Sequence, residues 1–226
     1  MARRRVMRRL QIAAGATFVA AWIVGLVFAN GGPGPSDSAA KVAAYYDDHE
    51  VRSMIATFLV DGVAGLAIIA LAYCLWRYLG AEHDALGRAL IVAGIGAGVV
   101  SLVQMLVGEV MAYRAAHGSS PDHVQTLFKV LNNLDTVKIV LLAILIAAAS
   151  ALARRSGAFP HWLAVAGMVF APLLAISGFA FPLDSDALYA ALTVTLIGLL
   201  AWVVAVTVVM ARRTANASTA PGAAVS

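Results

Sequence analysis

Charge is scarce in this chain. Asp, Glu, Lys and Arg together make up 12% of its 226 residues, about half the share that a soluble domain carries. With 62% apolar residues and a mean hydropathy of +0.86, it cannot cover its own surface with polar groups, which excludes a water-solvated globule. Cysteine is nearly missing. Cys74 is the single thiol, which excludes an intrachain disulfide framework and a thiolate zinc cluster; inside an apolar stretch it reads as a small buried hydrophobe. Histidines spaced for metal are missing too. Asp47, Asp48, His49 and Glu50 are consecutive, so on a helix they point around its whole circumference, and neither H-x-x-x-H nor H-E-x-x-H occurs. There is no G-x-S-x-G elbow, and Gly94-x-Gly96-x-Gly98 lies in an apolar run with no strand before it, unlike a nucleotide loop. By pattern, then, the sequence offers no catalytic residues, no metal site and no cofactor.

What the chain has in abundance is long, predominantly apolar sequence. Six runs, at 10–29, 54–78, 86–113, 124–153, 162–181 and 187–210, are each long enough as helices to cross a hydrocarbon core of about 30 Å. They predict an all-α fold, a polytopic membrane bundle of six transmembrane helices at 10–211. A basic segment at 1–9 precedes it, and a tail at 212–226, rich in Ala, Ser and Thr, is expected to be disordered. The run at 10–29 exceeds the roughly 7–15 apolar residues of a signal peptide, so a retained first helix is expected.

Lys and Arg set an orientation. One side of the bundle receives eleven, namely Arg3, Arg4, Arg5, Arg8, Arg9, Arg77, Arg88, Arg154, Arg155, Arg212 and Arg213; the other receives four, Lys41, Arg52, Arg114 and Lys129. Positive residues stay in the cytoplasm, so both termini are expected there. The net charge of +4 and the pI near 9.5 arise from these flanking residues, which suit anionic lipid and not nucleic acid. In the first outer loop, Gly31-Gly32-Pro33-Gly34-Pro35 ends the first helix and Ser36 or Ser38 offers an N-cap. Residues 39–53 then read as a short helix on the outer surface, with Val42, Tyr45, Tyr46 and His49 on one side of it.

Polar groups inside the spans are the sharpest functional signal. An ionisable side chain at mid-bilayer costs roughly 2.5–3.5 kcal/mol on insertion scales, so it normally faces a protein interior or a wet cavity. The residues concerned are Asp61 in the second span, Gln104 and Glu109 in the third, and Asn132, Asn133, Asp135 and Lys138 in the fourth. A rise of 1.5 Å per residue puts Asp61 about 13 Å inward from Arg52 and Glu109 within about 8 Å of Arg114. All seven fall in the outer half or at the midplane, whereas 139–153 is almost purely apolar. That is the outline of an outward-facing polar pocket with a closed inner floor. Asp135 and Lys138, three apart, share a helix face and can pair. The same groups also suit a purely structural role as ion pairs between helices.

Tyr45-Tyr46-x-x-His49, Leu134-Asp135 in the polar start of the fourth span, and the turn Gly157-Ala158-Phe159-Pro160-His161-Trp162-Leu163 resemble a broad group of bacterial, often actinobacterial, six-helix membrane proteins of unknown function. The resemblance implies a multi-pass protein of the bacterial plasma membrane and carries over no substrate or catalytic residue. The leading expectation is a protein that binds, and in some form transports, a small ligand, lipid or proton in the outer pocket. A structural or regulatory subunit, docking a membrane-protein partner by the small-residue face of the third span, is the first alternative. An intramembrane enzyme using Glu109 or Asp135 with outer-loop histidines is the second.

Overall fold

In lipid a backbone must satisfy its own hydrogen bonds, so apolar runs of this length fold as helices wherever glycine and proline do not interrupt them. The computed structural model describes residues 2–219, which are mostly helical with no strand among them. The elements are α1 (Ala2–Ala29), α2 (Ala39–Asp48), α3 (Glu50–Thr57), a π-helical turn (Phe58–Val63), α4 (Ala64–Tyr78), α5 (Ala85–Ala116), α6 (Pro121–Ser156), α7 (His161–Ser177), α8 (Ala180–Leu183) and α9 (Asp186–Thr219). From α3 to α4 the chain is one unit, Glu50–Tyr78, and α7 with α8 forms another, His161–Leu183. With α1, α5, α6 and α9 these make six units long and apolar enough to cross a membrane. The chain is an all-α polytopic bundle.

Each unit packs on its neighbours in sequence, and α1 packs on α9, so the six close into a ring. Short connections make antiparallel neighbours the natural outcome. Away from α2, the ring is filled by fully buried Leu71, Leu75, Leu90, Leu145, Ile146 and Val203. At the other end α2 lies across α5 and α6, burying Val42 against Met111, Val124 and Phe128 in a small separate core. The α4–α5 crossing is glycine-lined. A Cβ on Gly98 would stand 2.6 Å from the Gly65 carbonyl oxygen, and one on Gly65 would stand 2.8 Å from Ser101 Cβ. Only bare backbone allows helices to approach this closely.

Helix ends are closed by identifiable groups. Ser38 caps α2, its hydroxyl accepting from the Lys41 N–H at 3.4 Å. Arg52 closes the C-terminus of α1, donating from Nε to the Phe28 carbonyl and from Nη2 to that of Asn30, both at 2.7 Å. Gly157, at φ 65°, ends α6 in the left-handed conformation, and Arg213 donates to its carbonyl at 2.8 Å.

Two boundaries differ from the sequence-based expectation. The surface helix stops at Asp48 and does not reach 53. His49, at φ −129°, breaks it, with its ring on the Tyr45 carbonyl (3.0 Å) and stacked on the Tyr45 ring, so Glu50 already begins the second span. At the far end, α9 continues past 211 to Thr219, where disorder was expected from 212. Ala and Arg are strong helix formers, and the Thr214 hydroxyl donates to the Met210 carbonyl at 2.8 Å. The rest of the expected tail, 220–226, lies outside the described residues.

Candidate ligand-binding site

Lys138 stands midway along α6, about 26 Å from Pro121 and about 27 Å from Ser156 at 1.5 Å per residue. Its side chain is 5% exposed. An isolated ammonium at that depth would be costly, and two carboxylates meet it. Nζ donates to Asp61 Oδ1 at 2.8 Å and lies 2.6 Å from Asp135 Oδ1. The Trp22 ring closes the arrangement from α1, its centroid 5.8 Å from Nζ, within range of a cation–π attraction.

Local geometry explains the convergence. Asp135 and Lys138 are about 60° apart around α6, close enough for both to face the ring interior. Asp61 is delivered by the π-helical turn, in which the Ala64 N–H reaches back five residues to the Leu59 carbonyl. One extra residue in a turn rotates the following face by about 100° relative to a continuous α-helix. The second span thereby buries Ser53 and Ala56 before the turn, Asp61 within it, and Ala64 and Ile68 beyond it.

The three groups carry two negative charges and one positive, so with both carboxylates ionised the cluster is left at −1. Asp61 spends Oδ1 on Lys138, and no hydrogen bond among the described residues engages its Oδ2. Asp61 also forms the foot of a cavity of about 170 Å³ that starts beneath Tyr46 of α2. Ser53, Thr57 and Asp61, at four-residue intervals, give this cavity a polar stripe, while Leu26, Val60 and Leu131 supply apolar wall. Ser53 Oγ is buried without a hydrogen-bond partner. Tyr46 is half-buried, and desolvation holds its phenol above the usual range, with Tyr45 adding to the effect. A second cavity of about 40 Å³ lies on the other side of Lys138, against Trp22, Asp135, Phe181 and Leu196. Toward the interior there remains a space of only about 10 Å³ among Phe18, Ile68, Ala97 and Leu142.

The seven residues expected to share one pocket do not all do so. Asp61, Asp135 and Lys138 converge. Gln104, 1% exposed, donates to the Leu131 carbonyl at 3.2 Å and leaves Oε1 buried and unpaired. It braces α5 against α6 instead of reaching the charges. Glu109 is half-buried and has no hydrogen-bond or ion-pair partner among the described residues. Five residues from Gln104, it stands about 140° around α5 and cannot share that inward face. Asn133 is likewise about 140° from Lys138 on α6; with Asn132 and Lys129 it lines a separate cavity of about 280 Å³ that Asp184 and Phe181 complete.

Sequence reasoning missed Trp22, Ser53 and Thr57. Trp22 had a legible signal, since tryptophan favours membrane interfaces and this one lies well inside an apolar run. Ser53 and Thr57 form the 53–57–61 ladder, visible once the second span is extended back to Glu50. Two of the five histidines are occupied elsewhere: His49 and His117 each engage the carbonyl four residues back and stack on Tyr45 and Tyr113. Among the described residues no three His, Cys, Asp or Glu side chains are grouped to hold a metal. The chain matches no protein-family profile, no curated protein and no solved structure.

Proposed function

We propose that this is a bacterial plasma-membrane protein, of the six-helix kind it resembles, that binds a small ligand in an outward-facing pocket whose foot is the Asp61–Lys138–Asp135 cluster. The observation that carries the reading is the cavity descending from Tyr46 to Asp61 along Ser53 and Thr57. A charge cluster that served only to join helices would need no such approach. Interhelical polar contacts in membranes contribute about 0.6 kcal/mol on average, little against the cost of placing three ionisable groups there. The distribution of Arg and Lys supports an orientation with the α2 end outside and both termini in the cytoplasm. Apolar packing beyond the cluster supports a binding protein with a closed inner face.

The two alternatives draw less support. The small-residue face of α5, which would dock a partner, is occupied by α4 within the chain. Two of the loop histidines that an intramembrane enzyme would recruit, His49 and His117, are engaged with their own helices. The test is cysteine accessibility. Ser53→Cys and Thr57→Cys, in a Cys74→Ser background, are expected to react with a membrane-impermeant thiol reagent added outside, while Ala72→Cys, in the apolar half, stays unlabelled. Unreactive cysteines at both 53 and 57, or labelling only from the cytoplasmic side, would refute the outward pocket.

A further inference from the structure

We infer that the pocket's ligand is a small primary aliphatic amine, bound as its ammonium against Asp61; the inference rests on the outward-pocket reading and adds the ligand's chemistry. Three observations converge on it. The cluster has two carboxylates for one lysine, so a single positive charge completes it. The carboxylate that faces the cavity has an oxygen unclaimed by Lys138, and Ser53, whose Oγ is buried without a partner, lines the same space. The remaining wall is aliphatic: Leu26, Ala29, Ala56, Val60 and Leu131.

Size and coordination select among cations. A dry engineered cavity of about 150 Å³ takes benzene, so the 170 Å³ here has room for a body of about six non-hydrogen atoms. A bare proton would leave that space and its apolar lining without a role. Hard metal cations take six or more oxygen ligands, and the side chains of this cavity supply a carboxylate, two hydroxyls and the Tyr46 phenol. An alkylammonium uses every part of the site: its N–H groups donate to Asp61 Oδ2 and the hydroxyl ladder, and its chain packs on the aliphatic wall.

The experiment compares pentylamine, charged at neutral pH, with its uncharged isostere pentanol. Each is tested for slowing the reaction of Thr57→Cys with the impermeant reagent in the full-length protein in liposomes. Pentylamine is expected to slow labelling about tenfold, the equivalent of about 1.4 kcal/mol, at a concentration where pentanol has no effect. Asp61→Asn is expected to keep the cysteine reactive and abolish protection by the amine. Asp135→Asn, which touches no wall of this cavity, is expected to weaken protection through the charge count alone. Equal protection by amine and alcohol, or no protection by either on a reactive cysteine, overturns the amine while leaving the pocket standing. Protection that survives both aspartate substitutions also overturns it. A cysteine that never reacts overturns both readings.

Discussion

Removing charges one at a time from the Asp61–Lys138–Asp135 cluster gives an ordering that ordinary packing would not. At an effective dielectric of about 20, contacts at 2.8 and 2.6 Å each carry about 6 kcal/mol of gross attraction. Most of that is consumed by desolvating the groups, whose side chains are 5% exposed at Lys138, 9% at Asp61 and 26% at Asp135. What survives depends on parity. Lys138→Met leaves two buried carboxylates with no cation, and breaking a buried pair this way costs about 3–5 kcal/mol. Asp61→Asn or Asp135→Asn leaves one anion on one cation, a neutral pair, and should cost only about 1 kcal/mol, the net worth of an ordinary hydrogen bond. Removing both carboxylates strands the ammonium and returns the loss to about 3–5 kcal/mol, far above the sum of the two single changes. Reversible unfolding in mixed detergent–SDS micelles measures all four variants on one scale. Equal costs for the three single substitutions, additive aspartate losses, or a Lys138→Met variant within about 0.5 kcal/mol of the parent would each rule out a charge-coupled cluster.

Four further outcomes are expected. Gly98→Ala should destabilise the bundle by about 1–3 kcal/mol through overpacking against the Gly65 carbonyl. Gly96→Ala, which meets only the end of the Leu141 side chain at 3.3 Å, should be neutral or gain up to about 1 kcal/mol of helix propensity in the same assay. Arg52→Met removes the charged donor that closes α1 at Phe28 and Asn30, and should cost about 1.5–3 kcal/mol and speed hydrogen exchange around 27–32. The Lys41 ammonium and the Gly34 N–H hold the Asp37 carboxyl below its usual pKa. Its support for the start of α2 is therefore present above the unfolded-state pKa and lost as pH falls through the lowered folded-state value. Hydrogen exchange over 34–48, corrected for intrinsic rates, should rise on acidification, and Asp37→Asn should remove that dependence.

The six spans were legible because run length and hydrophobicity are properties of local sequence, and lipid leaves the backbone no other solution. The Asp135–Lys138 pair was legible for the same reason, since three residues on a helix dictate a shared face. Asp61 joining that pair was a matter of depth, which the residue count supplied. The angular positions were harder. Glu109 and Asn133 have the right depth and the wrong azimuth, and azimuth depends on which way each helix is turned in the ring. The π-helical turn at Phe58–Val63 could not be read locally either: it adds a residue without any proline to mark it, and packing against α1 and α5 holds it. The break at His49 escaped because its residues are acceptable helix formers, and the stacked ring on Tyr45 decides the matter.

One ammonium is shared by two aspartates from different helices inside the ring. Magic-angle-spinning dipolar recoupling between the Lys138 side-chain nitrogen and carboxyl-labelled aspartate, in lipid, measures this directly. Couplings to two carboxyl carbons are expected, in keeping with N–O contacts of 2.8 and 2.6 Å, with Asp61→Asn and Asp135→Asn each removing one of them. A single coupling that persists in Asp61→Asn, and so belongs to Asp135 alone, would contradict the sharing.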